Sequence, residues 1–296
     1  MSCSDPLVAI KEKNLDSPGK YRIRIFSKFT PDKAVQLKDR YGEALLYLPC
    51  GHCPSCKMAY RKDWSIRCEM ESLFHKQNCF LTLTLDNSHI KPVPVKEDIQ
   101  YFLHKLRDTY GIKCRYFACG ELGSRTYRSH YHMILFGYMP DDLKYWGQSN
   151  SGQDVFTSKF LNKVWNQGDV YVGYFDISCA AYVAGYVKKD KNQAFIMEST
   201  RPGLGHDYMM GHFHDLFKYG KYQGKNGQLH RLPRYFSKLA EKHGYDLIHL
   251  KIDQAESMDE LNKAAKFNKG IFQDMDLFAQ DGIVMKDKLK KLKRGL

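Results

Sequence analysis

A chain of 296 residues, 43% of them hydrophobic and 27% charged, carries enough apolar material for one large domain or one domain with elaborations. No apolar run approaches the roughly 18 residues that cross a bilayer, which argues against a membrane span. Lys and Arg number 46 against 33 Asp and Glu, a formal charge of +13, and with 14% aromatic residues this balance points to nucleic acid before a membrane surface.

The opening segment Met1–Pro6 has neither the basic nor the apolar region of a signal peptide. The nine cysteines are therefore expected as reduced thiols or metal ligands rather than disulfides. In chain order, Tyr21–Phe26 alternates like a strand and Asp32–Arg40 favours a helix. Cys50, Cys53 and Cys56 then fall at Cys-x2-Cys-x2-Cys spacing about Gly51, the spacing of a metal knuckle. A tetrahedral zinc needs a fourth ligand, for which His52, Cys3 and Cys68 are all available. An iron–sulfur cluster is disfavoured, because nothing else suggests redox work. Lys57–Lys76 reads as a helix, with Ile66, Met70 and Leu73 on an apolar stripe. Its cations Arg61, Lys62 and Arg67 are as free to face solvent as phosphate.

Asn78–Asn87 alternates apolar residues with Thr and predicts a strand. Pro92 and Pro94 mark a loop, and Lys96–Tyr110 predicts an amphipathic helix through Ile99, Phe102, Leu103 and Leu106. A second strand, Cys114–Glu121, joins the strand Ser129–Gly137 through a polar turn, so the two form a hairpin. On that strand His130 and His132 point to one face and Tyr131 to the other, where its hydroxyl needs a partner. Taken alone, such a pair packs more often than it ligates. Glu121 shares the histidine face if it pairs opposite His130 or diagonally from His132. Two imidazoles and a carboxylate suit Mn²⁺, Mg²⁺ or a related divalent ion, with Asp86 on the neighbouring strand a further candidate. No HExxH helix favours a catalytic zinc.

Residues 138–170 read as loop-rich, with a helix over Thr157–Gln167, and Asp169–Asp176 reads as a strand. Ser178–Asp190 predicts a helix on which Tyr182, Tyr186 and Lys189 stand at i, i+4 and i+7, with Lys188 off that stripe. Paired tyrosines at this spacing are ordinarily core, but a cation in line with them is awkward for a core. Gly185 costs roughly 1 kcal/mol against Ala in mid-helix, which implies that something approaches closely there. A second His-x-His, His212-Phe213-His214, lies in helical periodicity, which sets its histidines about 200° apart and prevents convergence. Further on, the sequence predicts a hairpin within Lys218–Leu232, a basic-aromatic helix beginning near Arg231, helices within Asp253–Gln280 and a basic tail, Lys286–Arg294.

A divalent metal beside a tyrosine-bearing helix suggests phosphodiester transesterification, leaving a 5′-phosphotyrosine and a free 3′-OH. His130-Tyr131-His132 with Tyr182, Tyr186 and Lys189 resembles the HUH endonucleases that initiate rolling-circle replication. The ordered set Pro49–Cys56, Phe80–Asp86, Gly120-Glu121 and Pro233–Phe236 is similar to replication initiation proteins of the Microviridae, small single-stranded-DNA bacteriophages, and of their gokushovirus branch in particular. The resemblance covers roughly residues 45–240. It implies an α+β fold, a central antiparallel sheet carrying the His-x-His strand and flanked by helices. The expected divisions are an N-terminal Cys-rich region and helix (1–76), a nicking core (77–195) and a C-terminal helical and basic extension (196–296).

The resemblance further implies that Tyr182 and Tyr186 attack with Lys189 in support, and that Glu121, His130 and His132 hold Mg²⁺ or Mn²⁺. Cys50, Cys53 and Cys56 remain candidates for a structural Zn²⁺, and Arg125 and Arg128 for DNA contacts. The substrate would be phage origin DNA, single-stranded or supercoiled duplex, in the cytoplasm of a bacterial host. A host DNA polymerase would extend the 3′-OH, and the displaced strand would later be rejoined. No GxxxxGK[ST] motif is present, so unwinding would fall to a host helicase. Two other classes stand beside this one: a metal-containing nucleic-acid-binding protein without strand transfer, and a metal-dependent nuclease that uses water.

Overall fold

The computed structural model describes residues 3, 5–13, 21–28, 31–42, 45–123, 127–149, 151–186, 194–225 and 227–245. They fall into two compact units that divide between Ala59 and Tyr60. The first contains strand β1 (Leu7–Lys13), β2 (Tyr21–Lys28), helix α1 (Pro31–Tyr41) and β3 (Leu45–Leu48). The strands form an antiparallel sheet of order β2-β1-β3. Sequence reading finds only β2 here. Its neighbour β1 buries three consecutive residues, Val8, Ala9 and Ile10, and its register with β2 shifts between Val8 and Ala9. Such an irregularity erases the period of two by which a strand is recognised.

Helix α2 (Pro54–Ser72) starts on a proline, whose missing N–H costs nothing in a first turn. Within the second unit it buries Trp64, Ile66, Cys68 and Met70, whereas Leu73, expected on the same stripe, lies past its end and is exposed. The chain continues through β4 (Asn78–Thr84) and α3 (Lys96–His104), which widens into a π-turn over Lys105–Thr109. Then come β5 (Arg115–Leu122), β6 (Ser129–Phe136), β7 (Leu143–Gln148) and β8 (Asp154–Ser158). After these lie α4 (Lys159–Trp165), β9 (Val170–Tyr174), α5 (Ile177–Tyr186) and β10 (Phe195–Glu198). Helices α6 (His206–Gly211) and α7 (Phe213–Tyr219), the hairpin β11 (Lys221–Gln223) and β12 (Leu229–Arg231), and helix α8 (Arg234–Lys242) complete the described part.

The main sheet has seven strands, all antiparallel, in the order β10-β5-β6-β4-β9-β8-β7. Strand β6 is buried on both faces, as an interior strand must be. On one face Leu81, Leu83, Tyr131, Met133 and Leu135 meet Ile99 and Phe102 of α3 and Leu161 and Trp165 of α4. On the other, Phe117, Cys119, Ile134 and Phe136 meet Trp64 and Cys68 of α2 and Ala180, Val183 and Ala184 of α5. Each large apolar side chain removed from water contributes about 1.5–3 kcal/mol. A one-residue slip of β6 would forfeit several such terms by exchanging its faces, so the register that orients the histidines is strongly held.

Residues 138–170 differ from the loop-rich expectation, because they contain the hairpin β7–β8. Lys144, Tyr145 and Trp146 are exposed at the sheet edge and the register shifts between Tyr145 and Gly147, so no apolar alternation announces the strand. Arg67, read as free for solvent or phosphate, instead lies over the rings of Trp64 (4.1 Å) and Tyr235 (4.2 Å) and donates Nε–H to Leu204 O at 3.3 Å. His212 and His214 do not converge: His212 Nδ1 bonds back to Tyr208 O, and His214 is exposed. The predicted helices within 253–280 and the basic tail lie outside the described residues. Among the described residues no helix is long and apolar enough to cross a membrane.

Candidate active site

Strands β5 and β6 pair with Glu121 directly opposite His130 and Cys119 opposite His132. From the other side β4 sets Thr84 opposite His130 and Thr82 opposite His132. Opposed residues share a face, so Glu121, both histidines and Thr82 project together on the α5 side of the sheet. Gly120 lies on the reverse face. A Cβ there would stand 2.7 Å from the Phe195 ring and 2.8 Å from Pro94 Cβ, so only glycine lets both pack against the strand behind Glu121.

Both imidazoles turn Nε2 to the same carboxylate oxygen, Glu121 Oε1, at 2.9 Å from His130 and 3.3 Å from His132. Their other nitrogens are engaged: His130 Nδ1 with Arg128 O and His132 Nδ1 with Thr82 Oγ1, each at 3.2 Å. A carbonyl only accepts, so His130 carries a proton on Nδ1 and presents Nε2 inward. Burial works to raise the Glu121 carboxyl, but hydrogen bonds from the two histidines outweigh it and hold the group below the usual carboxylate range. Burial lowers both imidazoles. At His130 the Glu121 contact reverses the effect and the group is raised, whereas His132, with the neighbouring His130 charge against it, stays lowered. One ionised carboxylate and two imidazoles, with ligand atoms within 4.8 Å of one another, are a donor set that fits a hard-to-borderline divalent ion.

Aromatic rings frame the seat. Phe80 stacks on His132 with centroids 5.6 Å apart and planes 9° from parallel. The Tyr182 ring meets His132 edge-on at 4.9 Å, and the Tyr182 hydroxyl lies 3.5 Å from His132 Nε2. On the reverse face Tyr131 is fully buried. Its hydroxyl donates to Asp98 Oδ2 at 2.5 Å and accepts from the Val95 N–H at 3.2 Å, which supplies the partner its position requires.

Of the residues singled out in sequence, Glu121, His130, His132 and Tyr182 therefore meet. Tyr186 is the last residue of α5, while Lys189 and Arg125 lie outside the described residues. Arg128 donates to Leu85 O at 2.7 Å and lines, with His130, Asp86 and Asp169, a cleft of about 460 Å³ beside the seat. Asp86 is not in the ligand cluster. Its carboxylate accepts from Ser88 and His89, and those hydrogen bonds pull it down to about 2. At Gly185 the close neighbour is the guanidinium of Arg61, whose Cζ would stand 2.6 Å from an added Cβ.

Sequence reading missed Phe80 and Thr82 as site residues, although a threonine on the face of β4 that turns away from the apolar core was a usable signal. It also missed where the open part of this face leads. By register, β9 sets Tyr171 opposite Thr82, β8 sets Thr157 opposite Tyr171, and β7 sets Lys144 opposite Thr157. Trp146, 61% exposed, packs edge-on against Tyr171 at 5.0 Å. A polar and aromatic row thus runs from His132 to the sheet edge.

Comparison with known proteins places these features in a family context. Residues 78–191 match the family model of replication-associated proteins of the ORF2 kind. The chain is 28% identical over 206 residues to replication-associated protein VP4 of Bdellovibrio phage phiMH2K, an alignment covering 64% of this chain and 65% of that one. It is 27% identical over 246 residues to replication-associated protein ORF2 of Spiroplasma virus 4, covering 76% and 77% of the two chains. With replication-associated protein ORF4 of Chlamydia phage 1 it shares 30% identity over 215 residues, 66% and 54%. The match thus spans just under two thirds of the phiMH2K protein and about half of the Chlamydia phage protein. No solved structure matches.

Proposed function

We propose that this chain, a relative of the phage replication-associated proteins, initiates replication by nicking one strand of phage origin DNA with its own tyrosine. The observation that carries the reading is the Tyr182 hydroxyl 3.5 Å from His132 Nε2, at the rim of the Glu121–His130–His132 cluster. Glu121, His130 and His132 would hold Mg²⁺ or Mn²⁺, which when bound supplies Lewis-acid polarisation of a phosphoryl oxygen.

The remaining work belongs to the protein. The Tyr182 oxygen attacks phosphorus, a P–O(Tyr) bond forms, the P–O3′ bond breaks, and the departing 3′ oxygen takes up a proton. Phe80 and the Thr82 hydroxyl fix the His132 ring, and Arg128 and Lys144 offer cations to flanking phosphates. Lys189, one turn past the end of α5, would neutralise the phosphoryl oxygens, and Tyr186 would serve a second transfer that rejoins the displaced strand. The free 3′-OH suits a host DNA polymerase, with unwinding left to a host helicase, in the cytoplasm of the bacterial host.

The test is incubation of the full chain with end-labelled single-stranded origin DNA and Mn²⁺, followed by denaturing electrophoresis. An SDS-resistant protein–DNA band is expected from the parent, strongly reduced in Tyr182→Phe and absent in Tyr182→Phe/Tyr186→Phe, while the double variant still binds DNA. Free cleavage products from the double variant would instead identify a water-using nuclease. Binding without any adduct or cleavage, in the parent as well, would leave a nucleic-acid-binding protein.

A further inference from the structure

A second cluster of metal-binding side chains lies in the first unit, apart from the chemistry proposed above. Cys50, Cys53 and Cys56 follow β3 and enter the first turn of α2, and Cys3, from just before β1, joins them. The four sulfurs all lie within 4.8 Å of one another. Cys3 Sγ and Cys53 Sγ are 3.7 Å apart. Four sulfurs held about 2.3 Å from a common zinc at tetrahedral angles stand about 3.8 Å apart, whereas a disulfide needs about 2 Å.

The backbone is arranged to match. The Cys50 N–H points at Cys3 Sγ (3.3 Å), the His52 and Cys53 N–H groups at Cys50 Sγ (3.4 and 3.3 Å), and the Cys56 N–H at Cys53 Sγ (3.4 Å). Donors aimed at sulfur orient thiolate ligands and offset their charge. Gly51, at φ 76°, takes the left-handed conformation that folds two of those amides back. Neither His52 nor Cys68, the other residues available as a fourth ligand, belongs to the cluster.

We infer that Cys3, Cys50, Cys53 and Cys56 form a tetrathiolate site for one Zn²⁺ ion, with Cys3 as the ligand that local spacing could not identify. Soft thiolates in tetrahedral array select zinc or iron, and sulfurs drawn this close enclose a single ion, not a multi-iron cluster. The role is structural, since four protein ligands leave no open position for a substrate. The first unit has a small core centred on Val8, Ala9 and Ile10, and small units commonly need a metal or disulfide to hold their fold. The ion would fasten the residues before β1 to the junction of β3 and α2.

The experiment uses the full chain purified under reducing conditions, with bound metal measured by mass spectrometry after dialysis. About one zinc per chain is expected, retained in His130→Ala/His132→Ala and in the control Cys114→Ser, and lost in Cys3→Ser. In Co²⁺-exchanged protein the parent should show the intense sulfur-to-cobalt charge transfer and red d–d bands of a tetrathiolate. Cys3→His should keep the ion but move the d–d bands to higher energy. Zinc well below one per chain, stoichiometric iron, a Cys3–Cys53 disulfide in place of metal, or a cobalt spectrum indifferent to Cys3→His would each overturn the assignment. Should Cys3→Ser fail to fold, the parent spectrum and Cys3→His still decide.

Discussion

At the scale of single residues, the seat works because each histidine has one nitrogen turned inward and the other secured. Thr82 secures His132, and removing its hydroxyl takes that partner from a buried ring nitrogen. Thr82→Val is therefore expected to weaken Mn²⁺ binding about 10- to 100-fold, read by titration calorimetry, with little change in thermal stability. Glu71 illustrates a different use of a buried carboxylate. It pairs with Arg115 (2.5 Å) and His75 (3.0 Å) and accepts the Gly205 N–H (2.8 Å). Burial acts to raise it, but the hydrogen bonds from His75 and Gly205 and the Arg115 charge prevail, so its folded pKa is depressed below 4.5. A depressed carboxyl contributes stability that is fully present above the unfolded value and is lost as pH falls through the folded one. Glu71→Gln should lower stability at pH 7 by on the order of 2 kcal/mol, and the gap from the parent should close below about pH 4, as measured by thermal melts across pH. A gap that stayed constant with pH would contradict this account.

At the scale of elements, what could be foreseen follows from which patterns survive burial. The β5–β6 hairpin was legible because its side chains alternate cleanly, and that alternation alone put Glu121, His130 and His132 on one face. Helix α5 was legible from its periodicity, and Gly185 from the cost it carries in a helix. The packing of β4 beside β6, which brings Phe80 and Thr82 to His132, is a pairing across 50 residues that no local pattern encodes. Strands β3 and β10 have four residues each, too few for a period, and β7 lies at an exposed edge with a register shift. The β7–β8 hairpin nevertheless carries the aromatic end of the open face. If unpaired bases stack there, Trp146→Ala should cost about 1–3 kcal/mol of single-strand affinity, measured by fluorescence anisotropy. Adduct formation at saturating DNA should be unchanged. Equal affinity in the two proteins would remove Trp146 from the DNA path.

At the scale of the whole molecule, the charge of +13 sets how DNA is held more than how it is cut. With about four phosphate contacts, the logarithm of affinity for single strands should fall with the logarithm of salt at a slope near −3, roughly sevenfold per doubling of salt. A flat dependence in the double-tyrosine variant would mean that phosphates are not the main contact. The distribution of the site along the chain has a temporal consequence. Glu121 and His130 are nine residues apart on one hairpin, whereas Tyr182 reaches His132 from 50 residues away. Closing the longer loop costs about 1.5 kcal/mol more in chain entropy, so the seat assembles locally and the tyrosine joins it afterwards. Chains leave the ribosome N-terminus first. A nascent chain therefore exposes its metal seat while the residue that would join covalently to DNA is still untranslated, and it can bind before it can cut.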